Sequence, residues 1–141
     1  MPGRALDDKD RALIAAARAA IERLYKENSN HIGAAVRTKS GRTYAAVHLD
    51  TYVGRASVCA EAIALGQAIA AGDGEVVDIA SVRHPRPREL NREIDVVSPC
   101  GICREMLADF APDCEVVVPE NGEAVAVPIR ELLPNKYVRK G

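Results

Sequence analysis

Residues 59–82, with the sequence CAEAIALGQAIAAGDGEVVDIASV, predict a helix, a turn and a strand in direct succession. The helix is expected over residues 59–71, and Gly72-Asp73-Gly74 ends it because glycine readily adopts the left-handed conformation found after helices. The apolar run over residues 76–82 then predicts a buried strand. This unit indicates an α/β protein, in which helices pack on the faces of a sheet.

The flanking segments continue the alternation of helices and strands. Upstream, Asp7 or Asp8 can cap a helix that extends to about Tyr25. Strands are expected over four further segments, residues 32–38, 43–49, 115–118 and 123–127. Helices are expected over two more, residues 100–110 and 129–133. We therefore expect residues 1–141 to form a single catalytic domain, a three-layer α/β/α sandwich around a five-stranded mixed sheet.

Composition restricts the class of protein. The chain has 141 residues, of which 48% are apolar and 28% charged, the balance of a globular protein that folds without disulfides. The formal net charge of −1 gives no argument for a nucleic-acid partner. No apolar run approaches the roughly 20 residues of a membrane span. The first ten residues lack an apolar signal segment, so we expect a cytoplasmic protein with no membrane partner.

Three cysteines fall at the starts of two predicted helices, in Cys59-Ala60-Glu61 and in Pro99-Cys100-Gly101-Ile102-Cys103. A helix N-terminus favours negative charge, which helps to hold a cysteine as the thiolate. Three thiolates can bind zinc and leave its fourth position open for water, whose pKa zinc lowers to about 7. The spacing therefore predicts a catalytic zinc site that provides hydroxide at neutral pH.

Glu61 follows the first of these cysteines by two residues, so it can lie beside the metal without binding it. There it could take a proton from the water and deliver it to a substrate nitrogen. This is the chemistry that attacks an amidine-like carbon and expels ammonia. A non-catalytic zinc module is the alternative, although a purely structural site has no need for an unligated carboxylate.

The fourth cysteine, Cys114, leaves a closed four-cysteine zinc site as another alternative. A helix over residues 100–110 would carry the chain roughly 15 Å away from the other thiols at 1.5 Å per residue. Since zinc needs sulfur at about 2.3 Å, we expect Cys114 to be a buried core thiol instead.

The sequence resembles the zinc-dependent cytidine deaminases, which include the blasticidin S deaminases. The resemblance rests on Ile32-Gly33-Ala34-Ala35, on the two cysteine motifs, and on the tail Glu131-Leu132-Leu133-Pro134…Tyr137-Val138. It implies the cytidine deaminase fold, Zn²⁺ as the cofactor, and a homotetramer whose sites borrow loops from neighbouring subunits. It also implies that Cys59, Cys100 and Cys103 hold the zinc and that Glu61 is the proton shuttle.

The same resemblance implies a substrate class, a free aminopyrimidine nucleoside. The first expectation is hydrolysis of cytidine or 2′-deoxycytidine to uridine or 2′-deoxyuridine with release of ammonia, in pyrimidine salvage. The alternative is a blasticidin S-like aminonucleoside, in detoxification. A nucleic-acid editing enzyme is not favoured, because editors mostly carry histidine as the first ligand where this chain has Cys59.

Several positions depart from the family pattern. The family's Asn-x-Glu, which holds the ribose, is replaced by His48-Leu49-Asp50, and its phenylalanine ahead of the Gly-Ala-Ala strand is replaced by Asn30. An arginine often follows the catalytic glutamate, where this chain has Ala62; Arg55 or Arg104 could supply that charge. The residues expected to bind substrate are His48, Asp50, Ala60 and Asn30.

Some polar residues allow two interpretations. His48 and Asp50 could instead form a solvated pair at the end of a strand. His31 and His84 are expected at the surface rather than as metal ligands. The arginines of residues 83–95 indicate either a solvated loop or a loop that closes over an anionic part of the substrate.

Overall fold

The computed structural model describes residues 3–141, which form three α-helices, seven strands and two 3₁₀ turns. The helices are α1 (Asp8–Leu24), α2 (Ala60–Ala70) and α3 (Gly101–Phe110). The strands are β1 (Arg4–Ala5), β2 (Ile32–Thr38), β3 (Thr43–Val47), β4 (Val76–Arg83), β5 (Asp95–Val96), β6 (Glu115–Glu120) and β7 (Glu123–Pro128). The 3₁₀ turns are Gly54–Ala56 and Ile129–Glu131.

The described strands form one mixed sheet in the order β1-β7-β6-β4-β2-β3, and β5 pairs with the end of β4. Only β4 and β6 run parallel among these pairs; the other neighbours are antiparallel. The expected five-stranded sheet is therefore wrong, since the sheet has seven strands. The two that the sequence did not reveal, β1 and β5, have two residues each, which is too short for an alternating pattern.

Helices cover both faces of this sheet, which confirms the three-layer α/β architecture. Side chains of α1 pack on one face, where the buried residues include Leu13, Ile21, Ala35, Ala80 and Val117. Side chains of α2 and α3 pack on the other face, where they include Leu65, Leu107, Val36, Ile79 and Val116. Because consecutive strand residues point to opposite faces, Val116 and Val117 contribute to different layers.

Two helical segments differ from the prediction at their ends. Asp7, rather than Asp8, caps α1: its carboxylate accepts from the N–H of Asp10 at 2.9 Å, and the Asp10 carboxylate accepts from the N–H of Asp7 at 2.9 Å. The expected helix over residues 129–133 is wrong, because only the 3₁₀ turn Ile129–Glu131 forms before Pro134. A proline cannot donate the hydrogen bond that a longer helix would need.

Within residues 3–141, none of the helices combines the length and apolar character that crossing a bilayer requires.

Candidate active site

Two helix starts bring three cysteine thiols together. Cys59 is the residue that precedes α2, Cys100 precedes α3, and Cys103 lies in the first turn of α3. Their sulfur atoms all lie within 4.8 Å of one another, and the Cys59 and Cys100 sulfurs are 3.4 Å apart. Folding thus brings together the three thiols that were predicted to bind zinc.

The donor set fits zinc. A tetrahedral zinc with sulfur at about 2.3 Å separates its thiolates by about 3.8 Å, close to the spacing that these thiols already have. A set of three thiols also leaves one position for a fourth ligand. When bound, zinc supplies a Lewis acid that lowers the pKa of water to about 7.

The three thiols differ in the direction of their pKa shifts. Burial raises the pKa of Cys59 to about 11, with a further increase from its hydrogen bond to Cys100. Burial also raises the pKa of Cys103 strongly, and the Glu61 carboxylate adds to this effect. For Cys100, burial is outweighed by the N–H of Cys103 and by the neighbouring thiols, which lower its pKa. A cation at this position would therefore bind in exchange for protons.

Glu61 lies in the first turn of α2, two residues beyond Cys59, and is only 6% exposed. Burial raises the pKa of its carboxyl group, while its own N–H and the Ser81 hydroxyl act in the opposite direction. A raised pKa makes this carboxylate a better proton acceptor, which suits a group that takes up and returns a proton.

Two of the thiols, those of Cys59 and Cys100, line a cavity of about 250 Å³ together with Glu61. The residues that line it are Ile32, His48, Cys59, Ala60, Glu61, Val97, Ser98 and Cys100. This is enough space for one small heterocycle, with apolar walls and a few polar groups, as in other small-molecule sites. Cys103 is buried at 1% exposure and is not part of this lining within residues 3–141.

The four predicted substrate-binding residues divide into two pairs. His48 and Ala60 line the cavity. Within the described residues 3–141, Asn30 and Asp50 are not part of the lining. The Asn30 amide donates to the His48 carbonyl at 2.7 Å, and the Asp50 carboxylate accepts from the Ser57 hydroxyl at 3.2 Å. Their roles toward substrate stay predictions.

Three residues that line this cavity were not predicted from the sequence: Ile32, Val97 and Ser98. Ile32 is the first residue of β2, and the other two lie between β5 and Pro99. Val97 and Ser98 could have been found from their position directly before the Pro99-Cys100 motif. Ile32 gives no such signal, because an apolar residue at the start of a buried strand is ordinary.

His31 and His84, expected at the surface rather than as metal ligands, are both half-buried, and neither belongs to the thiol cluster within the described residues. A ring nitrogen of His31, Nδ1, lies 3.0 Å from Nε2 of His48, and the two rings meet edge to face. The His84 ring stacks on Tyr25 with the ring centres 4.0 Å apart. Each histidine contacts a residue that is distant in sequence, so its burial could not be predicted from the neighbouring residues.

The expected loop forms between β4 and β5, and Glu89 organises it. Its carboxylate accepts from the Arg83 guanidinium at 3.0 Å and from the N–H of Arg86 at 2.9 Å. These contacts lower the pKa of Glu89 to about 2, with the Arg83 hydrogen bond as the largest cause. The Arg92 guanidinium donates to the Arg86 carbonyl at 2.7 Å. The loop is therefore held by its own polar contacts.

Cys114 lies in the core, fully buried, and is not a member of the thiol cluster described above. Burial raises the pKa of its thiol to about 12. This agrees with the expectation of a core thiol rather than a fourth ligand.

Arg104 lies one residue beyond Cys103 and holds the loop that precedes α3. Its guanidinium donates to the Pro99 carbonyl at 3.0 Å and to the Leu132 carbonyl at 3.1 Å. Of the two arginines considered as substitutes for the charge missing at Ala62, Arg104 is thus anchored beside the thiol motif.

Comparison with known proteins assigns the family. Residues 6–107 match the family model described as cytidine deaminase-like. The chain belongs to the cytidine deaminase-like family. Membership confirms the resemblance seen in the sequence motifs, and it makes hydrolytic deamination the class of reaction, since cytidine deaminases are hydrolytic enzymes.

This cytidine deaminase-like protein is similar to relatives with two different names. Blasticidin-S deaminase of Bacillus cereus is 48% identical over 134 residues, which cover 95% of this chain and 96% of the relative. Cytidine deaminase of Halalkalibacterium halodurans is 32% identical over 109 residues, or 75% and 76% of the two chains. The crystal structure of cytidine deaminase from Burkholderia pseudomallei superposes with a TM-score of 0.73 at 31% identity, covering 90% and 98%.

Proposed function

We propose that this protein is a zinc-dependent hydrolytic deaminase of a free aminopyrimidine nucleoside, in which Cys59, Cys100 and Cys103 hold the zinc. The observation that carries this proposal is the cluster of three thiols, two of which line a cavity together with the buried Glu61. A structural zinc site alone would not account for a carboxyl group held in that cavity.

The proposed reaction assigns Glu61 the movement of protons. Its carboxylate accepts a proton from the attacking water and delivers it to the substrate ring nitrogen, and a second transfer protonates the departing amino group. A carbon–oxygen bond forms, the carbon–nitrogen bond breaks, and ammonia leaves. The raised pKa of Glu61, caused by its burial, supports this role because the group must both take up and release a proton.

Two substrates are candidates, and a blasticidin S-like aminonucleoside has more support than cytidine or 2′-deoxycytidine. The similarity to blasticidin-S deaminase of Bacillus cereus extends over 95% of this chain. The residues that replace the ribose-binding Asn-x-Glu of cytidine deaminases also argue in this direction. His48 lines the cavity, whereas the Asp50 carboxylate accepts a hydrogen bond from Ser57.

The proposal includes a cytoplasmic homotetramer whose residues 1–141 act as one catalytic domain and whose substrate is a small molecule rather than nucleic acid. Reduced thiols persist in a reducing compartment. Tyr52 and Leu90 are almost fully exposed although apolar, which supports contact with another subunit. A polynucleotide partner has no support from the net charge of −1.

The test of the substrate is a comparison of kcat/KM for blasticidin S, cytidine and 2′-deoxycytidine with the zinc-loaded protein. Loss of ultraviolet absorbance reports deamination of each compound. We expect turnover of blasticidin S at a higher kcat/KM than of the two nucleosides. The reverse order would make cytidine or 2′-deoxycytidine the substrate, and silence on all three would contradict the proposed function.

A further inference from the structure

His31 and His48 meet across the ends of two neighbouring strands, at the edge of the cavity. His31 directly precedes β2 and His48 directly follows β3, and the N–H of His48 donates to the carbonyl of Ile32 at 3.0 Å. This hydrogen bond extends the β2–β3 pairing one residue beyond Gly33 and Val47, the last regular pair. It brings Nε2 of His48 to 3.0 Å from Nδ1 of His31.

A hydrogen bond between two neutral imidazole rings also links their tautomers. A neutral ring has one N–H donor and one acceptor nitrogen, so one ring must donate and the other accept. The state of Nε2 of His48 then determines whether its other nitrogen, Nδ1, carries a proton. The hydrogen bond therefore couples the tautomer of His48 to that of His31, and it holds the His48 ring in one orientation.

The surroundings of the pair favour the neutral form of both rings. Burial lowers the pKa of His31, and His48, Arg86 and Arg83 lower it further against an opposite effect of Asp50. Burial also lowers the pKa of His48, with Asp50 opposing and Arg86 assisting. Two neutral rings can share one hydrogen bond, whereas two imidazolium rings could not.

Two residues just ahead of β2 bind the backbone and the ring of His48. The Asn30 amide donates to the His48 carbonyl at 2.7 Å, and the His31 ring bonds the His48 ring. His31 is itself fixed, because its carbonyl accepts from the N–H of His84 at 2.8 Å. Of these, His48 is the residue that lines the cavity with Glu61.

We propose that His31 is a positioning residue, which acts through its Nδ1–Nε2 hydrogen bond to present the His48 ring to the substrate in a single tautomer. This inference rests on the proposed function for the role of His48 in the cavity. His31 itself does not line that cavity among the described residues 3–141, so it acts through His48 alone.

The kinetic test uses the zinc-loaded full chain and the substrate that it turns over fastest. His31→Ala should raise KM about tenfold, the usual effect of one lost hydrogen bond, and leave kcat within about twofold. His31→Asn should restore KM, because its amide lies the same number of bonds from Cα as ring Nδ1. His31→Gln, one bond longer, should not. His84→Ala is the matched control: it removes a ring that stacks on Tyr25 but keeps the N–H that bonds the His31 carbonyl, so KM should be unchanged.

A double-mutant cycle separates positioning from general destabilisation. When His48→Ala is already present, adding His31→Ala should cause no further loss of kcat/KM. Equal losses in both backgrounds, or an unchanged KM in His31→Ala, would overturn the proposal. Failure of His31→Asn to restore KM would also overturn it.

A spectroscopic measurement distinguishes this inference from the proposed function. Nitrogen-15 NMR of the zinc-loaded protein without substrate should show one tautomer of His48 in the wild type, and a mixture or the other tautomer in His31→Ala. An unchanged His48 spectrum in His31→Ala contradicts the positioning role whatever the protein deaminates. If the spectrum changes but no substrate is turned over, the proposed function fails and the His31–His48 coupling stands.

Discussion

The sulfur atoms of Cys59 and Cys100 lie 3.4 Å apart, although the two residues stand ahead of different helices. Each helix packs on the same face of the sheet, where Leu65 of α2 and Leu107 of α3 share one core. The packing of this layer thus aligns two helix N-termini so that their thiols converge. The site is a consequence of how α2 and α3 lie against the sheet.

Cys100→Ala should abolish tight zinc binding and lower the melting temperature, because metal affinity is coupled to folding in such sites. The buried Cys114, which lies outside the thiol cluster, provides the matched control. Cys114→Ala should keep equimolar zinc and cost about 1 kcal/mol of unfolding free energy, an ordinary core effect. Zinc content after dialysis and thermal unfolding measure both. Loss of zinc in Cys114→Ala, or its retention in Cys100→Ala, would refute the assignment of ligands.

Gly33→Ala should destabilise the protein by about 1–3 kcal/mol through overpacking. A Cβ at this position would lie 2.6 Å from the Ala17 carbonyl oxygen and 3.0 Å from the Ile21 side chain, so α1 would have to move away from β2. Gly66→Ala is the matched control: it lies exposed within α2 with nothing in the way, and should gain about 0.5–1 kcal/mol. Urea unfolding of the zinc-loaded variants measures both signs, and equal effects would contradict this account of the α1–β2 contact.

The pKa of Glu89 should decide how the loop between β4 and β5 responds to acid. Its pKa is lowered from its usual 4.5 to about 2, chiefly by Arg83. A lowered carboxyl pKa stabilises the folded loop fully above pH about 4.5, and this contribution is lost as the pH falls toward about 2. Carboxyl carbon-13 NMR at pH ~3.5 should therefore find Glu89 ionised.

Two variants complete this titration. Arg83→Gln should leave Glu89 largely protonated at pH ~3.5. Arg88→Gln, at an exposed position whose side chain does not hydrogen-bond the Glu89 carboxylate within the described residues, should have no such effect. A Glu89 that is protonated at this pH in the wild type would mean that the Arg83 pair does not form in solution.

The long elements were predictable because each carries a repeated signal. The apolar run of β4 and the glycines after α2 determine a helix, a turn and a strand with little dependence on the rest of the chain. The two-residue strands β1 and β5 are too short for a periodic pattern. β1 pairs with β7, and β5 pairs with the end of β4 that extends beyond its pairing with β6. Such pairings depend on tertiary structure and cannot be recognised from the local sequence.

The site shows the same division. The roles predicted for three residues rest on local sequence alone, because residue type and position at a helix start can both be recognised there: Cys59, Cys100 and Glu61. His31 was not predictable in this way, because its partner His48 lies 17 residues away and the contact depends on the β2–β3 register. Asn30 and Asp50 were expected to face the substrate, yet their observed hydrogen bonds are to His48 and Ser57. Sequence position alone does not decide the direction of a polar side chain at the end of a strand.

The most direct test of the central claim is ammonia release by the zinc-loaded wild type, the zinc-stripped wild type and zinc-loaded Glu61→Gln, each with blasticidin S, cytidine and 2′-deoxycytidine. Glu61→Gln keeps the size of the buried side chain but cannot accept the proton, and general acid–base catalysis contributes about 10²–10⁴-fold. We expect equimolar ammonia from at least one substrate with zinc-loaded wild type only, and a loss of at least about 10²-fold in Glu61→Gln with its zinc retained. Near-normal turnover by zinc-loaded Glu61→Gln, or by the zinc-stripped protein, would contradict the account.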